Sequence, residues 1–170
     1  MHSALPRPAS FAPHGSLRGS VKVPGDKSIS HRSLMLSALA IGESRVSGLL
    51  EGEDVLATAA AMRAMGATIE RIGEGEWRIH GVGVGGLLQP QNALEMGNSG
   101  TSTRLLMGLV ASHAISATFI GDASLSKRPM GRVIDPLSLT GAEFNAAPGG
   151  RLPLMVRGIC PAIPISYRLP

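Results

Sequence analysis

Basic residues, a hydroxyl group and glycine come together in the segment VPGDKSISHR, residues 23–32. We expect a helix to begin here with Ser28 as its capping residue, so that Arg32 lies over the first turn and Lys27 stands just outside. The helix N–H groups, the helix dipole and these side chains would then converge on one point, as a phosphate or a carboxylate requires. A capped helix with solvated charges is the alternative.

A similar arrangement is predicted in GNSGTSTR, residues 97–104. Asn98 and Thr101 flank Gly100, where the missing side chain would let a ligand approach the backbone closely, and Arg104 follows four residues later. The pattern by itself is weak. It nevertheless places polar groups and a guanidinium at a second helix start.

The third helix start is predicted in SLSKRPMGR, residues 124–132. Pro129 suits the first position of a helix, where its missing N–H group has no cost. Lys127 and Arg128 precede it, and Arg132 follows. Three helix starts with arginine in or just before the first turn favour an anion-binding pocket over chance.

Two familiar phosphate-binding motifs are excluded. The GDKS sequence lacks the glycine of a P-loop, because Val21 and Asp26 stand where that motif requires glycine. Residues 81–86, GVGVGG, match the dinucleotide fingerprint, but they lead towards Pro90 instead of opening a helix. Neither a nucleoside triphosphate nor a dinucleotide is therefore expected.

The remaining reactive residues indicate structural roles. His31 either contacts a ligand or packs and hydrogen-bonds in the core, and no two histidines have metal-ligand spacing. Cys160 is the single cysteine, which leaves no disulfide framework. Trp77 and the helical methionines are predicted to be core residues. We expect no metal and no organic cofactor.

The charge and the aromatic content of the chain limit the classes of molecule that it could bind. The 170 residues carry a net charge of +4, with 3% aromatic residues and 22 glycines. The basic residues are scattered and the aromatic platform of a nucleic-acid site is missing, so a small anionic metabolite is the expected partner, with no nucleic acid. No stretch approaches eighteen apolar residues, so no membrane partner is expected. The first sixteen residues lack a signal-peptide core and predict a flexible leader of a cytoplasmic protein.

The predicted secondary structure follows one order twice. A β-α-β-α-β-β unit is expected over about residues 17–90, beginning with a strand at 18–23, and the order returns over about 91–160. The recurring landmarks are Gly66 and Gly141 at helix ends, Gly81 and Gly158 at strand ends, and Arg32 and Arg104 in the first helix of each unit. Residues 161–170 would then open a third unit with a strand. The domain over 17–170 would be incomplete and would expose apolar surface where the third unit belongs.

The three motifs, in this order and spacing, resemble those of the 5-enolpyruvylshikimate-3-phosphate synthases. LLEGEDV, residues 49–55, and GDASLSKRPMG, residues 121–131, add to the resemblance, which runs from about Arg18 to the end of the chain. It implies an enolpyruvyl transferase-like inverse α/β barrel, of which this chain carries two repeated units of the first domain. A sister family that acts on a UDP-sugar has Lys-Asn where Lys27 and Ser28 stand here, which disfavours it.

The resemblance implies enolpyruvyl transfer from phosphoenolpyruvate to shikimate 3-phosphate, in aromatic amino acid biosynthesis. By motif, Lys27 would touch both substrates and take part in proton transfer. The other implied substrate contacts are Ser28 and Arg32 for shikimate 3-phosphate, Asn98, Gly100 and Arg128 for phosphoenolpyruvate, and Thr101 beside them. Because members are more than twice this long, the chain would need the carboxyl-terminal part of the enzyme as a partner. A truncated, non-catalytic binding module or complementing fragment is the alternative.

Overall fold

The computed structural model describes residues 8–13 and 15–168. They form four α-helices, α1 (Lys27–Leu39), α2 (Glu53–Ala64), α3 (Gly100–Ala111) and α4 (Gly131–Ser138). The strands are β1 (Ile41–Val46), β2 (Thr68–Gly73), β3 (Glu76–Val82), β4 (Leu94–Glu95), β5 (Ser116–Ile120), β6 (Glu143–Ala147) and β7 (Arg151–Arg157), with a short 3-10 helix at Leu125–Lys127. Part of the predicted leader lies outside the described residues, so its flexibility stays a prediction.

Two sheets repeat one strand order. The first is β1-β3-β2 and the second is β4-β5-β7-β6, so that β5, β7 and β6 stand in the second sheet as β1, β3 and β2 do in the first. The pairing is antiparallel except between β4 and β5, which run parallel. β2 and β3 form an antiparallel hairpin, as the last two strands of the predicted unit. The α-β-α-β-β part of the predicted unit therefore occurs twice, in agreement with the spacing of the landmarks.

The glycine landmarks have matching structural roles. A β-carbon on Gly81 would lie 2.2 Å from the carbonyl oxygen of Ala40, and one on Gly158 would lie 1.9 Å from that of Val110. Each glycine thus lets the closing strand of a unit meet the end of its first helix without a side chain. Gly66 and Gly141 have φ of +104° and +95°, which suit glycine after a helix end.

The strand predicted at 18–23 is not present. Val21 and Val23 are 85% and 74% exposed, and this segment pairs with no sheet in the described part of the chain. Alternation of polar and apolar residues stabilises a strand only when a neighbouring edge supplies the backbone hydrogen bonds. Residues 161–168 likewise have no strand, and the start of a third unit stays a prediction.

Two predicted helix starts are also corrected. Asp26, not Ser28, caps α1, because its side chain accepts a hydrogen bond of 2.8 Å from the Ile29 N–H and its negative charge suits the helix N-terminus. Pro129 is not the first residue of α4. The helix begins after Met130, whose carbonyl oxygen accepts the first helical hydrogen bonds. The Met130 N–H donates to the Gly150 carbonyl oxygen.

The core is built mainly from aliphatic side chains and methionine, as expected. Met62, Met65 and Met107 are fully buried, and Trp77 is 3% exposed, which confirms their predicted packing roles. Apolar residues also lie on the surface, including Ile29 and Leu36 on α1, and α4 has no buried residue. No helix in the described part of the chain is long and apolar enough to cross a membrane.

Candidate anion-binding site

The first residue of α1 and the first turn of α2 are joined by an ion pair. Lys27 Nζ contacts Asp54 Oδ2, and the lysine side chain is 54% exposed while the aspartate is 18% exposed. Lys27, Asp54 and Asn98 line one cavity of about 340 Å³, together with Gly97. The fold thus brings Lys27 of the first motif and Asn98 of the second to one place.

The ion pair sets the charge of Asp54. Burial by itself would raise the pKa of this carboxyl, but the hydrogen bond and charge of Lys27 and the N–H of Val55 lower it more, so the pKa lies below its ordinary value. Asp54 therefore stays ionised beside the cavity. An anion that binds Lys27 must compete with this carboxylate.

Gly100 opens α3 directly against two guanidinium groups. A β-carbon at this position would stand 2.7 Å from Arg104 Nη1 and 3.2 Å from Arg128 Nη1. The glycine is buried and the arginines are partly exposed. The missing side chain therefore lets two cationic groups approach the backbone at a helix start.

Arg128 is held by a short polar chain. Its Nη2 donates to Asn98 Oδ1 at 2.7 Å and to Ser124 Oγ at 3.2 Å, while Asn98 Nδ2 donates to Asp122 Oδ2 at 2.8 Å. The N–H of Leu125, the amide of Asn98 and the charge of Arg128 lower the pKa of Asp122. The second and third motifs are thereby joined through Asn98 and Arg128.

Arg104 lies close enough to two further arginines to be affected by their charges. Burial lowers the pKa of its guanidinium, and the charges of Arg132 and Arg128 lower it further. Among the described residues, Arg104 Nε is buried without a hydrogen-bond partner. Three neighbouring like charges are destabilising unless an anion accompanies them, so the cluster formed by Arg104, Arg128 and Arg132 favours an anionic ligand.

The helix N–H groups contribute less than the sequence predicted. Asp26 occupies the Ile29 N–H in α1, and Ser99 Oγ accepts from the Ser102 N–H in α3 at 3.2 Å. Side-chain cations, rather than these amide groups, are the main donors to an anion. Among the described residues no group of three or more His, Cys, Asp or Glu side chains is placed to hold a metal ion.

Other predicted site residues do not line the cavity. Ser28, Thr101 and Lys127 are exposed. Arg32 is also exposed, and its Nη1 donates to the Ser28 carbonyl oxygen at 3.1 Å. Arg104 makes the same bond to the Gly100 carbonyl oxygen at 3.2 Å, so the arginine landmarks of the two units are equivalent.

Two acidic residues and a buried network were missed from the sequence. Asp54 and Asp122 position the cations. Both lie in segments that carry the resemblance, residues 49–55 and 121–131, but no role was assigned to them there. His31 is fully buried, with Nδ1 2.8 Å from Thr58 Oγ1, which confirms the packing and hydrogen-bonding interpretation.

Solved structures establish the fold class. An EPSP synthase from Acinetobacter baumannii matches with a TM-score of 0.83 and 50% identity, over 88% of this chain and 34% of that chain. A second structure of EPSP synthase from the same species matches with a TM-score of 0.79 and 52% identity, over 82% of this chain and 32% of that chain. The chain is therefore part of an enolpyruvyl transferase-like inverse α/β barrel, which confirms the fold class predicted above.

The family follows from the sequence. A family model described as EPSP synthase (3-phosphoshikimate 1-carboxyvinyltransferase) matches residues 11–170, and the chain belongs to this family. Curated relatives called 3-phosphoshikimate 1-carboxyvinyltransferase are 77% identical over 164 residues in Novosphingobium aromaticivorans and 75% identical over 167 residues in Sphingopyxis alaskensis. Each match covers 96% of this chain and 37% of the relative, so the chain spans little more than a third of their length.

Proposed function

We propose that this chain supplies part of the substrate site for transfer of the enolpyruvyl group from phosphoenolpyruvate to the 5-hydroxyl of shikimate 3-phosphate. Family membership supports the reaction, and the cationic site supports its substrates, which are both polyanions. No metal or organic cofactor enters the proposal. Shikimate 3-phosphate, phosphoenolpyruvate and the carboxyl-terminal part of the enzyme are the proposed partners.

The reaction needs two anions held together while protons move. The 5-hydroxyl adds to carbon 2 of phosphoenolpyruvate, the hydroxyl proton leaves, and carbon 3 gains a proton to give a tetrahedral intermediate. Loss of phosphate from carbon 2 and of a proton from carbon 3 then restores the carbon–carbon double bond and gives the enol ether product. Cationic side chains lower the repulsion between the substrates, and a lysine at their junction is suited to proton transfer.

The proposed roles follow the positions in the site. Lys27 lies on the cavity and would contact both substrates and act in proton transfer. The other proposed contacts are Ser28 and Arg32 to shikimate 3-phosphate, Asn98, Gly100 and Arg128 to phosphoenolpyruvate, and Thr101 at the edge of the site. Asp54 would hold Lys27 until a substrate anion replaces it.

The position of Gly100 carries the proposal. Its absent β-carbon leaves the Arg104 and Arg128 guanidiniums next to the backbone at the start of α3, at 2.7 and 3.2 Å from the place that carbon would occupy. A doubly or triply charged small anion fits such an arrangement, because each guanidinium can donate two hydrogen bonds to it.

We also infer that the chain does not turn over alone. Its match covers 37% of the N. aromaticivorans relative, so most of that protein has no counterpart in these 170 residues. The alternative, a non-catalytic binding module or one piece of a complementing pair, is favoured by the same observation for the isolated chain. Binding without turnover is the expected behaviour in both cases.

Calorimetric titration of the chain with phosphoenolpyruvate and with shikimate 3-phosphate tests the site. We expect Arg128→Ala to weaken phosphoenolpyruvate binding, because Arg128 would donate directly to the ligand. Arg45→Ala removes an exposed cation on β1 that pairs with Glu43, and should leave binding as in the parent. Equal losses in the two variants would indicate a general charge effect and contradict the proposed contact.

A further inference from the structure

A chain of buried polar side chains links the two motifs that carry Lys27 and Gly100. Thr58 Oγ1 lies 2.8 Å from His31 Nδ1 and 2.7 Å from Ser102 Oγ. Ser102 Oγ lies 2.5 Å from Ser99 Oγ, the cap of α3. The four residues are 3% exposed or less, so this buried network joins α1, α2 and the start of α3.

The second nitrogen of His31 is directed towards the site. Among the described residues, His31 Nε2 is buried without a hydrogen-bond partner, and it lies 3.8 Å from Asp54 Oδ2. The same carboxylate oxygen is paired with Lys27. Asp54 therefore stands between an exposed cation that faces the cavity and a buried ring nitrogen.

The Asp54 carboxylate favours one of the two neutral forms of the His31 ring. Thr58 Oγ1 lies 2.8 Å from His31 Nδ1 and 3.3 Å from the Asp54 carbonyl oxygen, so its hydroxyl can donate to either atom. When it donates to Nδ1, the ring proton is on Nε2, where it faces the carboxylate. The opposite tautomer would direct the Nε2 lone pair at that carboxylate, which is repulsive, so the neutral ring is expected to carry its proton on Nε2.

We propose that His31 is a positioning residue that holds Asp54 when Lys27 turns from Asp54 to an anionic ligand. The bond requires the Nε2 to Oδ2 distance to shorten from 3.8 Å to about 2.9 Å, while the other carboxylate oxygen accepts from the Val55 N–H at 3.0 Å. Asp54 then stays paired and does not follow Lys27 towards the anion. The role in ligand exchange rests on the proposed function, but the His31–Asp54 bond does not.

Removal of the lysine side chain tests this bond without any ligand. In the 170-residue chain labelled with ¹⁵N-histidine, long-range ¹H–¹⁵N spectra should show His31 neutral and protonated on Nε2. Lys27→Met should move the Nε2–H signal downfield and slow its exchange with water, because Asp54 is free to bind it. Lys27 is 54% exposed, so this variant is expected to fold.

Two control variants test whether Asp54 is the group that accepts the hydrogen bond from His31 Nε2–H. Adding Asp54→Asn to Lys27→Met should return the signal towards its parent position, because the carboxylate is gone. Arg32→Met removes another cation of α1 that acts on His31 but does not bind Asp54, and it should leave the signal unchanged. An Nδ1-protonated ring in the parent, or an Nε2–H signal that Lys27→Met leaves in place, would overturn the proposal.

A ligand arm separates this proposal from the proposed function. Phosphoenolpyruvate added to the parent chain should produce the same downfield movement as Lys27→Met. If Lys27→Met moves the signal and phosphoenolpyruvate does not, the His31–Asp54 bond stands and the assignment of Lys27 to that substrate is wrong. The substitution His31→Gln places an amide donor near the Nε2 position, whereas His31→Asn places its amide near the Nδ1 position and can bond only to Thr58. His31→Gln should therefore retain phosphoenolpyruvate binding better than His31→Asn.

Discussion

Lys27 Nζ and Asp54 Oδ2 form an ion pair across the first turns of α1 and α2, at the edge of the cavity that Asn98 also lines. Lys27 provides a cation where a substrate anion is proposed to bind. Asp54 is the carboxylate from which Lys27 would separate when that anion binds. The electrostatics of this pair can be measured by themselves, apart from any catalytic activity.

The substitution Lys27→Met should raise the pKa of Asp54. Burial acts to raise this pKa in the parent and is outweighed mainly by Lys27, so loss of the lysine lets burial count for more. In the parent the pKa of Asp54 is lower in the folded state than in the unfolded state. The ionised carboxylate therefore stabilises the fold above the unfolded pKa of about 3.9, and this contribution is lost as the pH falls through the folded pKa. Carboxyl ¹³C shifts measure the titration. An unchanged Asp54 pKa would show that the lysine does not control it.

The substitution Gly100→Ala should alter the site without altering the fold. The new methyl group would stand 2.7 Å from Arg104 Nη1, and this end of the side chain can move aside, which takes a guanidinium from its place. From the family resemblance we expect glyphosate, a slightly longer anion, to bind at the proposed phosphoenolpyruvate site. We expect a larger rise in the inhibition constant for glyphosate than in the KM for phosphoenolpyruvate in a full-length enzyme.

Gly108 provides the matched control in the same helix. A β-carbon there meets nothing within 4 Å, and alanine in a helix is about 0.5–1 kcal/mol more favourable than glycine. Gly108→Ala should therefore raise thermal stability and leave both constants as they are. Equal changes in the two constants for Gly100→Ala, or a parent that glyphosate does not inhibit, would show that Gly100 does not line the site.

The substitution Arg32→Ala should weaken shikimate 3-phosphate binding by about tenfold or more, because a hydrogen bond to a charged group contributes about 1.5–3 kcal/mol. In the structure Arg32 bonds to the Ser28 carbonyl oxygen, so it must leave this acceptor to reach a ligand. NMR shifts of residues 25–33 during titration measure the effect. The same ligand-induced shifts in Arg32→Ala and in the parent would count against Arg32 as a contact.

Glu51 provides a test of the fold that is separate from the site. It accepts hydrogen bonds from Arg71, from the Gly75 N–H and from the indole of Trp77, and the Arg71 bonds are the main cause that lowers its pKa to about 2. Its stabilising effect should be present above the unfolded pKa of about 4.3 and be lost as the pH falls towards 2.

The single tryptophan reports this effect by fluorescence. Glu51→Gln should lower the thermal midpoint at pH 7, and its difference from the parent should narrow between about pH 4.3 and 2. Glu74→Gln, an exposed carboxylate in the adjoining turn, should stay close to the parent throughout. A constant difference between Glu51→Gln and the parent over this range would contradict the role of the Glu51 charge.

Repetition made most of the fold predictable. Gly81 and Gly158 were recognised as landmarks by their matching positions at strand ends. Both are glycine because the close approach of each strand to a helix end leaves no room for a side chain. The prediction of a strand at 18–23 was wrong because the alternation of polar and apolar residues does not show whether a sheet edge is available to pair with this segment. Strand formation depends on distant partners, and local sequence does not contain them.

The cations of the site were predictable and their carboxylate partners were not. Arg128 stood out beside a proline and a helix start, whereas Asp54 was one acidic residue at the start of another helix, where such residues are common. Only the packing of α1 against α2 shows that Asp54 meets Lys27. In the same way, His31 and Ser102 are 71 residues apart, and their buried network depends on the contact of all three helices.

Release of phosphate from phosphoenolpyruvate in the presence of shikimate 3-phosphate tests the central claim most directly. The chain should be assayed alone and fused to the remaining carboxyl-terminal portion of the N. aromaticivorans relative, with Lys27→Met in the fusion as the control. We predict no release by the chain alone, release by the fusion that depends on shikimate 3-phosphate, and loss of that release in Lys27→Met. A folded fusion without such release, or a Lys27→Met fusion as active as its parent, would contradict the assignment of the substrate site to these residues.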